Sequence, residues 1–221
     1  MERRRATKAG GKGGRPSRAN ALQLRRRILE VATELFLAQG YGSTSIEAVA
    51  ARAGVSKRTF YHRFDDKAAL FAAVVHHIIE QIRPAPEVPL LEGANLRDVL
   101  RRLAGMILRA ALAPPALALH RLVMAESARF PELVRAVSGD GSTREATTLI
   151  SGLLARELRK PKLNEENRLL AAQQFIFMVV TLPQRRAMGY GTPMTAAELD
   201  TWADQTVNLF LHGCQGLGAL N

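Results

Sequence analysis

The segment spanning 46–64, IEAVAARAGVSKRTFYHRF, holds the side chains whose types and spacing could do chemistry. Ala50 is small enough for two helices to cross closely, Gly54 supplies a tight turn, and Val55 can plug the interface just beyond it. At about 100° per residue, Phe60 and Phe64 share an inner face, whereas Arg58, Thr59 and His62 point outward and Tyr61 lies on the flank. Lys57 falls nearer the inner side and reaches outward only through its long stem. Such an outward face fits the major groove of double-stranded DNA. There arginine and lysine suit guanine edges, threonine suits a thymine methyl, and tyrosine or histidine reach edges or phosphates.

These side chains need a scaffold, and helical periodicity supplies it. Leu24, Ile28, Val31, Ala32, Leu35 and Phe36 predict a first helix over 21–38, stopped by Gly40. Ile46, Val49, Ala50 and Ala53 predict a short helix over 45–53, and a third runs from 57 to about 64. After Asp65 and Asp66 an apolar-periodic helix covers 67–82 and ends at Pro84, where RPAPEVPLLEG forms a proline-rich hinge. Further helices are expected over 95–111, 116–129, 131–139, 144–160, 165–188 with a kink or break at Pro183, and 195–213. No stretch shows strand alternation, so the fold class is all-α. The expected domains are a disordered basic arm (1–20), a helix-turn-helix DNA-binding domain (21–66), a linking helix (67–83) and a larger effector-binding and dimerisation domain (84–221).

Charge follows the same division. The net charge is +11, and residues 1–83 hold 16 Lys and Arg against 7 Asp and Glu, while residues 84–221 hold 15 against 13. A basic N-terminal third beside a nearly neutral remainder is the layout of a polyanion-binding module joined to a different one. The arm, with seven basic residues and four glycines in 1–20, is either a solvated tail or a strand tracking the neighbouring minor groove.

From about Arg25 to Val75 the chain resembles the TetR family of bacterial transcriptional regulators. The resemblance runs through QGYGSTSIEAVAARAGV, SKRTFYHRF and DDKAALF, in that order and with no gap. It implies a homodimer whose first three helices bind DNA, whose fourth links them to the rest, and whose C-terminal domain senses a small-molecule effector. It also places Lys57, Arg58, Thr59 and Tyr61 near base edges, and Thr44, Ser56, His62 and Lys67 near phosphates. Thr44 and Lys67 each stand at a helix start, where free amides favour an anion. Competing readings make Tyr61 half-buried packing, Thr44 only an N-cap, and Lys67 a surface charge. HRLVMAESARFPELVRAV resembles the C-terminal domain of AefR-like regulators.

In the C-terminal two thirds, Met106, Met124, Phe130, Phe175 and Met178, with His120, form a candidate effector pocket, plain core being the alternative. Leu112, Leu119 and Phe177 belong to the same set of bulky residues, and Glu126 is either a ligand-orienting group or a surface position. The stretch 169–182 is apolar nearly all round, more than one helix can bury in a small monomer. Ile176, Val180, Leu199, Trp202, Val207 and Phe210 are therefore candidates for a four-helix dimer seam.

Enzyme chemistry finds no foothold. There is no HExxH, phosphate loop or GxSxG. His76 and His77 are adjacent and project about 100° apart, so they are not the i, i+4 pair a metal prefers. Cys214, the single cysteine, can make no intramolecular disulfide and suits a reducing cytoplasm. No cofactor, metal or membrane partner is expected. The sequence reads as a cytoplasmic regulator, on the nucleoid when bound to its operator: a repressor of a pseudo-palindromic operator, released by a hydrophobic or amphipathic effector. An activator of the same fold and a nonspecific DNA-compacting protein are the alternatives.

Overall fold

A computed structural model describes residues 18–83, 95–139, 141–157 and 164–212; the arm up to residue 17, the proline-rich hinge and Cys214 lie outside them. Among the described residues the chain forms helices and no strand: α1 (Arg18–Gln39), α2 (Ile46–Arg52), α3 (Lys57–Tyr61), α4 (Lys67–Ile82), α5 (Leu96–Ala111), α6 (Pro114–Glu126), α7 (Glu132–Gly139), α8 (Ser142–Glu157), α9 (Glu165–Ala187) and α10 (Ala196–His212). The all-α expectation holds.

Helix starts follow local chemistry. Asp66, Asn95 and Asn164 each accept a backbone N–H three residues on, at 2.7, 3.0 and 2.8 Å, which satisfies one otherwise orphaned donor per helix. Thr195 and Glu198 cap α10 reciprocally, Thr195 N–H donating to the Glu198 carboxylate at 2.7 Å. Gly40, with φ +89°, ends α1 in the left-handed conformation that glycine adopts without steric cost. Pro114 begins α6 two residues earlier than expected, because an N–H at the first helical position has no acceptor to lose.

Pro183 neither breaks nor ends α9, which continues to Ala187. The ring removes the N–H that would bond to the carbonyl four residues back, at Val179. Trp202 of α10 fills that gap, its indole N–H donating to Val179 O at 2.9 Å. One hydrogen bond thus offsets the proline and fixes the pairing of α9 with α10.

The apolar core divides differently from the chain. One cluster joins α1–α4 through Ile28, Phe36, Phe60 and Phe71, and it also takes in Leu119 and Leu122 of α6 and Leu133 of α7. A second cluster joins α5, α8, α9 and α10 through Leu100, Ile150, Phe175 and Val207. Helices α6 and α7, which lie within the expected C-terminal domain, are therefore packed onto the N-terminal unit.

Candidate nucleic-acid interface

The turn between α2 and α3 has the geometry that Ala50, Gly54 and Val55 predict. Ala50 and Ala53 are buried, Gly54 has φ +67°, and Val55 N–H donates back to Ala50 O at 2.9 Å. Ser56 caps α3, accepting from Thr59 N–H at 3.1 Å. Phe60 and Phe64 are inside at 0% and 4% exposure, so the opposite face of α3 must look outward.

On that outer face Ser56, Lys57, Arg58, Tyr61 and His62 are exposed, and Thr59 is half-buried. Helix α3 is shorter than expected and stops at Tyr61, with His62 as its C-cap. Tyr61 is 49% exposed and sets its ring edge against Phe60 at 5.6 Å, which leaves the hydroxyl end outside. The Ser56 and Thr59 hydroxyls share a 2.9 Å hydrogen bond. Arg58 carries no ion pair or hydrogen bond through its guanidinium among the described residues.

Lys57 is different. Its Nζ lies 2.7 Å from Glu47 Oε1 on α2. That hydrogen bond raises the Lys57 pKa and holds Glu47 below the usual carboxylate range. Sequence reasoning missed Glu47, and it also missed Arg25 and Arg27 of α1. Arg25 sits over the Phe64 ring at 5.5 Å, and the Arg27 guanidinium borders Gly54 in the helix-turn-helix turn. The arginine run at 25–27 was visible in the sequence, but its position beside α3 is a tertiary fact.

Of the expected phosphate contacts, Thr44 departs from its reading, and Lys67 keeps its place at a helix start with added neighbours. Thr44 is 1% exposed, and its hydroxyl donates to Gly40 O at 2.7 Å. The N-cap of α2 is instead Ser45, which accepts from Ala48 N–H at 3.1 Å. The Thr44 hydroxyl is therefore occupied inside the fold and cannot meet a phosphate. Lys67 does stand at the start of α4, but its ammonium lies over the Tyr41 ring at 4.4 Å and 3.3 Å from Gly42 O. Partial burial lowers its pKa, against the opposing pull of Glu126 and Glu132.

The six candidate pocket residues do not converge. Met124 is 67% exposed, Phe130 packs its ring against Tyr41 in the first core, and Phe175 is buried in the second against Phe210. Met106, His120 and Met178 are half-buried, and none of them lines either of two clefts among the described residues, one beside Trp202 and one between α5 and α10. Packing into separate cores takes Phe130 and Phe175 apart. Each cleft holds about 330 Å³; one is bounded by Arg186, Met194 and Trp202, the other by Leu108, Leu112, Leu199, Arg109 and Asp200. Glu126 serves neither of its expected roles, since its carboxylate accepts the N–H groups of Tyr41 and Gly42.

One of the six seam residues is internal and five are half-buried. Val207 is 1% exposed within its own chain, so it cannot face a partner. Ile176, Val180, Leu199, Trp202 and Phe210 are half-buried against the second core. The apolar surplus of α9 is real but lies elsewhere, on Leu170, Phe177 and Leu182 at 51%, 69% and 37% exposure. Among the described residues no single helix is long and apolar enough to cross a membrane.

Comparison with known proteins agrees with this geometry. The profile described as "Bacterial regulatory proteins, tetR family" matches residues 28–74, and that of "AefR-like transcriptional repressor, C-terminal domain" matches residues 98–213. A solved structure described as a TetR-family transcriptional regulator of Mesorhizobium loti is similar with TM-score 0.69 and 31% identity, covering 86% of this chain and 96% of that one. The flavonoid-responsive regulator FrrA is similar with TM-score 0.70 and 29% identity, covering 86% of this chain and 95% of that one. The HTH-type transcriptional activator FasR of Mycolicibacterium smegmatis is 32% identical over 100 residues, 45% of this chain and 46% of that protein. The alignments to FasR and to a Bacillus subtilis regulator, YdgC, span less than half of either relative.

Proposed function

Because the chain belongs to the TetR family of bacterial regulatory proteins, we propose that it is a repressor that binds a pseudo-palindromic operator as a homodimer and leaves it when a small apolar or amphipathic molecule binds. It is a transcriptional regulator with a DNA-binding helix-turn-helix, not an enzyme. The observation that carries the reading further is α3 itself. Its inner face is locked by buried Phe60 and Phe64, and its outer face presents an arginine with no internal partner among the described residues.

In this reading Arg58 and Tyr61 read base edges, and Thr59 adds contact with a thymine methyl. Lys57 joins them once DNA draws it from Glu47. Ser56, His62 and Lys67 position the unit on phosphates. Leu170 and Phe177, which share one exposed face of α9, supply the dimer contact, and the two-fold axis repeats α3 at successive major grooves, roughly 34 to 36 Å apart. Helix α4 transmits the effector signal, since its N-terminal end lies beside the helix-turn-helix and Arg83 at its C-terminal end pairs with Glu145 of α8. The AefR-like repressor match supports repression, and the FasR match favours the second reading, an activator of the same fold. The likeness to flavonoid-responsive FrrA supports an effector with apolar rings, for which the cleft walled by Leu108, Leu112 and Leu199 is the better fit.

Mapping the bases that the protein protects on the DNA upstream of its own gene tests the reading. Two protected half-sites related by a dyad are expected, and uniform protection along any DNA would show compaction instead. Effector affinity should be lower for the operator complex than for free protein, by the factor by which the effector weakens DNA binding.

A further inference from the structure

The loop entering the helix-turn-helix is held from the other side of the chain. Glu126, the last residue of α6, accepts Tyr41 N–H on one carboxylate oxygen at 2.8 Å and Gly42 N–H on the other at 2.7 Å. The fit is close. A Cβ at Gly40 would stand 2.4 Å from Glu126 Oε1, and one at Gly42 would stand 3.1 Å from the Phe130 ring. The Tyr41 hydroxyl donates to Glu132 of α7 at 3.1 Å, and the Lys67 ammonium covers the other face of the same loop. A charged acceptor on two backbone donors makes stronger hydrogen bonds than a neutral one, so the loop has one preferred attitude relative to α6.

The same helix is fixed at a second point. Arg121, five residues before Glu126, donates to Ala187 O at the C-terminal end of α9 at 3.1 Å. Five residues advance a helix about 7.5 Å and turn it about 140°. Arg121 and Glu126 therefore grip different neighbours from different sides of α6. One grip holds the helix carrying the exposed apolar row, and the other holds the turn from which α2 and α3 emerge.

We propose that Glu126 is a positioning residue for DNA binding: it fixes the α1–α2 turn to α6, so that α6 acts as a strut setting the attitude of α3 relative to α9. The inference rests on the reading of a dimer that meets two half-sites at once. With the strut intact both recognition helices are pre-oriented. With Glu126 removed each head samples more attitudes, and only a two-half-site complex must pay that ordering cost in full.

The test uses the full-length protein and DNA enriched by the wild type from a random pool. Affinities are measured for the two-half-site sequence and for a single half-site, with wild type, Glu126→Ala and the isosteric Glu126→Gln. Glu126→Ala should bind the full site roughly tenfold more weakly, within the range typical of site-to-site coupling, and the half-site as wild type does. Glu126→Gln, which keeps one acceptor oxygen, should lose less. Hydrogen exchange in a peptide covering 39–44 should quicken in both variants, while a peptide from α9 keeps its protection. Full-site affinity within twofold of wild type for both variants overturns the inference, as do equal losses on full site and half-site, which would mark general damage. A wild type that enriches no sequence overturns the DNA-binding reading, and the inference with it.

Discussion

Replacing Arg58 by alanine separates base reading from general attraction. The side chain is exposed and has no internal partner among the described residues, so its removal breaks nothing within the fold. Stability should stay within about 0.5 kcal/mol of wild type, as for ordinary surface substitutions. On DNA each well-placed arginine–guanine pair contributes about 1 to 3 kcal/mol of discrimination. A dimer presents two such arginines, so an operator should lose about 2 to 6 kcal/mol, roughly 30-fold to 20,000-fold, if the sites act independently. Random DNA should lose far less, because only one charge per subunit is gone. Titrations of labelled operator and scrambled DNA at one salt concentration, beside a thermal melt, measure all three quantities. Equal losses on both DNAs would show that Arg58 touches only phosphate. A fall in melting temperature would show that it has a structural partner after all.

Three further outcomes follow from other contacts. Glu47→Gln should release Lys57 and remove a carboxylate from the DNA-facing side; it should strengthen binding to operator and random DNA alike, and steepen the log-affinity against log-salt plot by about 0.9 per lysine that gains a phosphate. An unchanged slope would show that Lys57 gains no phosphate contact. Trp202→Phe should leave the Val179 carbonyl, already deprived by Pro183, without its donor, and cost about 1 to 3 kcal/mol in denaturant unfolding with operator affinity intact in the folded protein. Phe177→Asp should yield a folded monomer in light scattering, because Phe177 is exposed in the single chain, whereas Phe210→Asp should unfold the second core, where the ring lies tilted against Phe175 at 5.0 Å. A Phe177→Asp protein that stays dimeric would move the interface off this row of α9.

What could be read from the chain was what local spacing decides. Helix α4 begins and ends where Asp66 and Pro84 put its limits, and the turn through Ala50, Gly54 and Val55 depends on residues within five positions of one another. Even near neighbours mislead when side-chain direction matters. Thr44 and Ser45 are both good N-cap types, and only the fold shows that Ser45 caps α2 while Thr44 turns its hydroxyl to Gly40. The surplus of apolar side chains on α9 was legible as composition. Which of them are left outside depends on how α5, α8 and α10 cover the helix: Phe175 goes in, Phe177 stays out, and no periodicity can separate two positions on a helix that is apolar nearly all round.

The effector pocket was less legible for a related reason. Met106, Met124, Phe130, Phe175 and Met178 were grouped because bulky, adaptable side chains line pockets, but composition carries no information on which core each joins. The hydrogen-bonding groups were the better guide, had their partners been visible. Glu126 lies 84 residues from Gly42, and nothing in the sequence links them. Yet Glu126, Phe130 and Glu132 all converge on the loop at 40–42, and Leu119, Leu122 and Leu133 join the core beneath it. Helices α6 and α7 thus pack with the DNA-binding unit, although they come after the proline-rich hinge in the chain. An effector held between α5 and α10 would sit on the second core, across the boundary between the two clusters. Among the described residues, ligand binding there can alter DNA affinity through elements that span that boundary, among them α4 through Arg83, α6 through Arg121 and the packing of α5 on α6, and the strengths of those links decide which carries the signal.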